Sequence, residues 1–209
     1  YYLDDAKALL RAGADFIAHS VRDKAVDAEL IALLTEKNVC LCPTLTREVS
    51  TFVYESEPDF FADPFFTMSA DPVVLEQLKD PKRQQSIQKS KSAQQYKKAL
   101  EMAKQNLKKL SEAGVGIVFG TDTGPPARFQ GYFEHMEMDL TVQAGLSPQK
   151  AMETATSVAS KCLGLKEVGM LEAGRWADLA VFNSDPFADV KNTKTLDSVW
   201  VAGNHLPVR

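Results

Sequence analysis

Long hydrophobic runs and abundant cysteine are both missing from this sequence of 209 residues. Its longest apolar runs, such as Val115–Phe119, are far short of the roughly 20 residues that cross a bilayer, so we expect no membrane partner. Three cysteines do not form a disulfide framework, and we expect Cys40, Cys42 and Cys162 to be small, buried core residues. With 44% hydrophobic and 25% charged residues, the composition is that of an ordinary globular domain.

Signal-peptide features and several catalytic motifs are missing as well. The N-terminus, Tyr-Tyr-Leu-Asp-Asp, has neither a basic nor an apolar leader region, and it reads as part of a longer chain. The compartment therefore stays open, with the cytoplasm slightly favoured. A Gly-x-Ser-x-Gly elbow, a phosphate-binding Gly-Lys-Ser/Thr loop and a His-Glu-x-x-His motif are all absent. The sequence gives no support to those three kinds of chemistry.

Charge is weak overall but unevenly distributed. The sequence has 24 basic and 28 acidic residues, a net charge of −4, yet residues 48–78 carry seven acids and residues 79–109 carry ten bases. The basic run does not indicate nucleic acid, because it lacks interleaved aromatic residues and lies on an amphipathic helix. The apolar stripe of that helix comprises Tyr96, Leu100, Ala103, Leu107 and Leu110. We expect a solvated helix face and no nucleic-acid partner.

Helix and strand signals alternate over residues 1–164, which predicts parallel βαβ units. Strands are predicted at 14–18, 39–42 and 116–119, each flanked by helices. Residues 46–80, rich in Phe, Asp and Pro, are expected to form a long irregular stretch whose phenylalanines serve in packing or in a lid. From residue 165 onward, short apolar strands at 178–182 and 198–202 predict a second structural layer.

The number of predicted strands limits the possible architectures. A closed (β/α)8 barrel takes about 250 residues and eight strands, whereas residues 1–164 offer three. Three parallel strands with exposed edges make a poor independent fold. The α/β part is therefore either a small open sheet or the last part of a barrel.

Two residues that bear functional groups follow the predicted strands directly. His19 ends the first strand, and Asp122 follows the third within Gly-Thr-Asp-Thr-Gly. Sites of α/β folds lie at the carboxyl ends of parallel strands, because the loops there converge on one face. Imidazole nitrogen and carboxylate oxygen are also ligands of zinc-type sites, although two ligands fall short of the usual three. A structural hydrogen bond for His19 and a turn role for Asp122 remain open alternatives.

Three further polar residues are weaker candidates. His135, near a helix start, fits a capping role, or a role beside the metal ligands or substrate, better than direct ligation. His205 is expected on the surface of the second layer. Arg128, soon after Asp122, could bind a substrate carboxylate through its bidentate fork, although an ordinary surface arginine would give the same sequence.

Several segments, taken in order, resemble the metal-dependent amidohydrolase superfamily, in its branch of imidazolonepropionase-like enzymes and Xaa-Pro dipeptidases. Residues 12–20, which end in Ala-His-Ser, resemble strand 6 of that fold. Val-Cys-Leu-Cys-Pro-Thr-Leu at 39–45 resembles strand 7, and Val-Phe-Gly-Thr-Asp at 118–122 resembles strand 8. The segments Ala-Gly-Leu-Ser-Pro at 144–148 and Gly-Arg-Trp-Ala-Asp-Leu at 174–179 are similar to its C-terminal signature.

The resemblance implies a fold and a chemistry. Residues 1–164 would be the C-terminal part of a TIM (β/α)8 barrel, with strands 6–8, and residues 165–209 would be strands of a flanking small β-sandwich. The implied activity is metal-dependent hydrolysis of an amide, peptide or cyclic amide C–N bond in a small molecule or dipeptide, with one or two divalent ions, expected to be zinc. His19 would bind the second metal or orient substrate, and Asp122 would bind the first metal and shuttle a proton.

The resemblance is also incomplete. The family's His-x-His of strand 1, bridging lysine of strand 4 and histidine of strand 5 have no counterpart in this sequence. We therefore expect the chain to be inactive alone, and to associate with itself or with a complementary N-terminal half. The alternative is a non-enzymatic small α/β binding or interaction domain that uses its exposed strand edge for a partner.

Overall fold

The computed structural model describes residues 1–206, in which helices surround a short parallel sheet and a small antiparallel sheet follows. The strands are β1 (Phe16–Ala18), β2 (Cys40–Cys42), β3 (Leu179–Phe182), β4 (Leu196–Val201) and β5 (Asn204–Leu206). The α-helices are α1 (Leu3–Arg11), α2 (Ala28–Glu36), α3 (Leu45–Val49), α4 (Pro64–Thr67), α5 (Pro72–Lys79), α6 (Pro81–Lys89), α7 (Lys91–Glu112), α8 (Tyr132–Gln143), α9 (Pro148–Ala155) and α10 (Ser157–Cys162). Over this range no helix combines the length and the hydropathy that a membrane span requires.

The first sheet is parallel, as predicted. β1 and β2 pair in parallel with Ile17 opposite Leu41, and Leu41 forms a parallel bridge with Ile117. The third strand is shorter than predicted, because its pairing is limited to the hydrogen bonds that Leu41 makes with Gly116 and Val118, both 2.9 Å. The βαβ units are confirmed, and the three strands point their carboxyl ends in one direction.

The main hydrophobic core lies between these strands and the helices around them. Ile17, Leu41 and Ile117 are each at most 4% exposed and pack against apolar faces of α1, α2 and α7. The predicted stripe of α7 is confirmed: Leu100, Ala103, Leu107 and Leu110 are buried, and Tyr96 is partly buried.

Residues 46–80 correct the sequence prediction of an irregular stretch. This segment contains α3, α4 and α5, together with 3₁₀ turns at Val53–Glu55 and Asp59–Ala62. Three Asp-Pro pairs explain the difference: Asp63, Asp71 and Asp80 each cap the helix that begins at the following proline, by accepting a bond from the backbone N–H two residues later. Four phenylalanines of this segment, Phe60, Phe61, Phe65 and Phe66, pack with Tyr54, Tyr132 and Phe133 in a second cluster.

The cysteines also depart from the sequence prediction. Cys40, at the start of β2, forms a disulfide with Cys162 at the end of α10, while Cys42 is free and buried. The two half-cystines are 122 residues apart, so no local spacing signals the bond. Gly116 makes room for it, since a β-carbon there would lie 2.7 Å from the Cys40 sulfur and 3.1 Å from that of Cys162.

The second layer is an antiparallel sheet with the order β3-β4-β5. The sequence predicts the first two strands but not β5, because Gly203-Asn204 is typical of a turn that ends a strand. Ala202 and Gly203 both have positive φ values, 50° and 78°, which is the geometry of a tight two-residue hairpin. His205 is exposed on β5, as predicted.

Candidate active site

Three non-glycine residues with left-handed backbones mark the carboxyl ends of the parallel strands. His19 after β1, Thr44 after β2 and Asp122 after the third strand have φ values of 72°, 50° and 58°. This conformation is uncommon for residues with a β-carbon, and clusters of such residues are typical of functional sites. The strand ends therefore carry both predicted site residues and a shared backbone distortion.

His19 is fixed at both its backbone and its ring. Its N–H donates to the Cys42 carbonyl at 2.7 Å, and its Nδ1 lies 2.7 Å from the Thr44 hydroxyl. When Nδ1 donates to Thr44, the Nε2 lone pair is left for a ligand, which is how metal-binding histidines are commonly oriented. Burial lowers the pKa of His19, the charges of Arg47 and Arg22 lower it further, and Asp122 opposes them. The neutral imidazole, the form that binds metals, is thus favoured at neutral pH.

Asp122 lies among arginines. Its Oδ2 accepts a hydrogen bond from Arg128 Nη1 at 2.6 Å, and the same nitrogen donates to its carbonyl oxygen at 3.0 Å. Arg47 Nε is 3.9 Å from Oδ2. Arg128 also donates from Nε to Ser50 Oγ at 3.1 Å. Arg128, predicted to bind a substrate carboxylate, therefore binds the carboxylate of Asp122 in this structure.

Two glutamates of α8, which the sequence analysis did not single out, hold the strand-end loops. Glu134 Oε1 accepts hydrogen bonds from the hydroxyls of Thr121 and Thr123, at 2.9 and 2.8 Å, on either side of Asp122. Its Oε2 accepts from the Gly131 N–H at 2.6 Å, which caps the helix. Glu134 therefore ties the Asp122 loop to the first turn of α8.

Glu137 performs the same function for the loop after β2. Its carboxylate accepts from the backbone N–H groups of Leu45 and Thr46 at 2.8 and 2.7 Å, and from the Thr46 hydroxyl at 2.8 Å. Burial raises the pKa of Glu137 to about 7, against the effect of these three donors. Leu45 and Glu137 are 92 residues apart, so sequence spacing does not predict the hydrogen bond between them.

The structure does not join the other two histidines to this edge. His135 Nδ1 lies 2.7 Å from Thr193 Oγ1, and its ring meets Phe65 edge-on at 4.9 Å. Burial lowers its pKa, and Lys194 adds to that effect. His205 stacks near Trp200 on the antiparallel sheet, with ring centroids 5.0 Å apart. Of the predicted site residues, His19, Asp122 and Arg128 share the strand-end edge.

The donors at this edge are of the kind that binds a divalent metal, but there are too few of them for a complete site. His19 offers a neutral imidazole nitrogen, and Asp122 keeps its second carboxylate oxygen beside the one that Arg128 binds. Within residues 1–206, no three His, Cys, Asp or Glu side chains are grouped so that they could hold a metal ion. A catalytic zinc usually takes three protein ligands, so these two residues would form part of a site.

The family follows from comparison with known proteins. The sequence profile of the Amidohydrolase family matches residues 4–206, and the chain belongs to this family. An imidazolonepropionase from Deinococcus deserti is 29% identical over 103 residues, which are 47% of this chain and 26% of that protein. The resemblance to the amidohydrolase superfamily is thereby confirmed.

Solved structures agree with this assignment. A Xaa-Pro dipeptidase crystallised with methionine in its active site superimposes with a TM-score of 0.70 at 22% identity, covering 98% of this chain and 42% of that one. A putative prolidase from Bifidobacterium longum gives a TM-score of 0.69 at 27% identity, covering 96% and 44%. The chain thus has the α/β fold of these proteins and spans less than half of their length.

Proposed function

We propose that this chain carries part of the active site of a metal-dependent hydrolase that cleaves amide or peptide C–N bonds. The observation that carries the proposal is that His19, with Nδ1 held by Thr44, and Asp122 lie at one edge of the sheet. Membership of the Amidohydrolase family favours this enzyme over a non-enzymatic binding domain. The finer assignments, strands 6–8 of a TIM barrel with a flanking β-sandwich, are part of the same proposal.

In this mechanism His19 and Asp122 would hold a divalent ion, expected to be zinc, together with ligands from outside residues 1–209. A bound ion would supply Lewis-acid polarisation of the scissile carbonyl and a more acidic water. Asp122 would accept the proton of the attacking water and pass it to the leaving nitrogen, so that the amine departs neutral. His19 would complete the metal site through Nε2; in the other tautomer, with the Thr44 hydroxyl donating to Nδ1, its Nε2–H would donate a hydrogen bond to the oxygen of the reacting carbonyl. Glu134 would keep Asp122 in place through Thr121 and Thr123.

The test is a metal and substrate assay on the full-length protein that contains this chain. Metal content is measured by elemental analysis, and hydrolysis is measured on Xaa-Pro dipeptides, N-acyl amino acids and cyclic amides. We expect at least one bound divalent ion per active chain and turnover of one of these classes, lost on chelation and restored by zinc. A protein that binds no divalent ion, or hydrolyses none of the three classes when loaded, would contradict the proposal.

A further inference from the structure

Three arginines surround the carboxyl ends of the parallel strands. Arg22 follows β1, Arg47 lies on α3, and Arg128 follows the Asp122 loop. The acids that they face are Glu48 and Asp122. Three positive charges thus meet two negative ones, and the cluster keeps one excess positive charge.

Two of the arginines are already paired with these acids. Arg22 Nη1 is 2.9 Å from Oε1 of Glu48, a residue with no exposed surface. Arg128 Nη1 is 2.6 Å from Oδ2 of Asp122. Because these two pairs account for both carboxylates, the excess charge belongs to Arg47.

The guanidinium of Arg47 makes only long polar contacts within residues 1–206. Its Nη1 is 3.5 Å from the Tyr96 hydroxyl and 3.6 Å from Glu48 Oε1, and its Nε is 3.9 Å from Asp122 Oδ2. Its guanidinium lies 5.6 Å from the centre of the Tyr96 ring, and that of Arg22 lies 5.5 Å from the same centre. A guanidinium near an aromatic ring is attracted to it, and these long distances leave the N–H donors of Arg47 without a close partner within residues 1–206.

We propose that Arg47 is a specificity-determining residue that binds a carboxylate of the substrate. The inference rests on the proposed hydrolase function and deepens it. A guanidinium with free in-plane donors matches a carboxylate through two parallel hydrogen bonds. Since Arg47 lies beside Asp122, a carboxylate bound there belongs to the same molecule as the scissile amide. The substrate class is then an N-acyl amino acid or dipeptide with a free carboxylate, rather than a neutral cyclic amide.

The opposing interpretation makes Arg47 a second counter-charge for Glu48. In that case its loss would weaken the fold and reduce activity on every substrate alike. The measurement that separates the two interpretations is therefore the ratio of kcat/KM for an acid to kcat/KM for its uncharged amide. Overall activity does not separate them.

The experiment compares matched pairs on the zinc-loaded, full-length protein: dipeptides and N-acetyl amino acids, each beside its C-terminal amide. We expect wild type to prefer the acids, and Arg47→Gln to lower that preference in kcat/KM by about 10- to 100-fold, since a charge-assisted bidentate contact is lost. The change should lie mainly in KM, with the amides affected less than about threefold. Arg47→Lys keeps the charge but loses the bidentate guanidinium, so its preference for acids should lie between those of wild type and Arg47→Gln. This variant provides the test if Arg47→Gln fails to fold. Arg83→Gln, at an exposed arginine of α6, is the matched control and should behave as wild type.

A binding arm separates this inference from the hydrolase function. Calorimetric titration with the N-acetyl amino acids and with their amides requires no turnover. Acid-selective binding that depends on Arg47 in a protein that hydrolyses nothing would refute the hydrolase and leave the carboxylate site standing. A wild type without preference for any acid over its amide, or an Arg47→Gln variant that keeps the preference, would overturn the inference.

Discussion

At the scale of single residues, Asp122 is the most informative position. Asparagine keeps its size, one oxygen and its tolerance of a left-handed backbone, but it cannot accept a proton. If Asp122 is both ligand and proton shuttle, Asp122→Asn in the full-length protein should lower kcat by more than the roughly 10²–10⁴-fold typical of losing a general acid–base. Metal content should fall only partly, since other ligands remain.

Turnover, metal content and thermal midpoint of this variant are measured together. Asp59→Asn, at an exposed aspartate, is the control and should be silent. If Asp122 were only a turn residue, asparagine would serve equally well, and a variant with near-normal turnover would remove Asp122 from the site.

Glu137 gives a second prediction, on the pH dependence of stability. Its pKa is raised by burial from the ordinary 4.5 to about 7, so between these values the folded state holds a proton that the unfolded state has lost. The free energy of unfolding that Glu137 contributes should therefore fall as pH rises through this window, by about 3 kcal/mol in all. Glu137→Gln does not titrate and should lack this fall.

Urea unfolding at several pH values between 4.5 and 7.5 gives the difference between wild type and Glu137→Gln. This difference in the free energy of unfolding should decrease with rising pH. The contributions of other titrating groups, such as His19, cancel in the difference because both proteins contain them. Glu112→Gln, at an exposed glutamate, should run parallel to wild type. A Glu137→Gln curve that also runs parallel to wild type would show that Glu137 does not titrate in this window.

Some of the site residues could be predicted from the sequence and others could not. His19 and Asp122 could be placed at one edge because each follows a recognisable strand, and parallel strands share a direction. Glu134 and Glu137 were missed because their function depends on partners that folding brings to them, up to 92 residues away. Arg47 gave no signal either, since its position on Tyr96 joins two helices that are distant in sequence.

At the scale of elements, helices with a periodic apolar face were predicted well, whereas helix starts at Asp-Pro pairs were not. The apolar stripe predicts α7, whereas the Asp-Pro pairs that start α4 and α5 lie in the segment predicted to be irregular. The disulfide between β2 and α10 was the other failure, because a bond across 122 residues has no local pattern.

The disulfide yields a prediction at this scale. It closes a long loop and ties the end of α10 to the sheet, so Cys162→Ser should lower the free energy of unfolding by about 2–4 kcal/mol. Dithiothreitol should destabilise wild type by a similar amount and leave Cys162→Ser unchanged. Titration of thiols in unfolded, unreduced protein should find one, that of Cys42; three free thiols would show that the bond does not form.

At the scale of the whole molecule, the chain covers less than half of the solved structures that it matches. Residues 1–209 alone should bind zinc weakly and show no hydrolysis above background, because two ligands do not make the usual three-ligand site. Equilibrium dialysis with zinc and the substrate panel check this, with the full-length protein as the positive control. Tight one-to-one zinc binding with turnover by residues 1–209 would refute the ligand count on which the proposal depends.

The left-handed residues at the three strand ends have a consequence for how this protein can be altered. Glycine would occupy all three positions without steric cost, whereas Thr44 with its branched side chain is the least suited to its φ of 50°. Selection for heat resistance should therefore return Thr44→Gly among its first hits, and that variant should lose activity, because the Thr44 hydroxyl holds the His19 ring. The stability of the fold and its chemistry compete at this position, so a screen for one has to be counter-selected for the other.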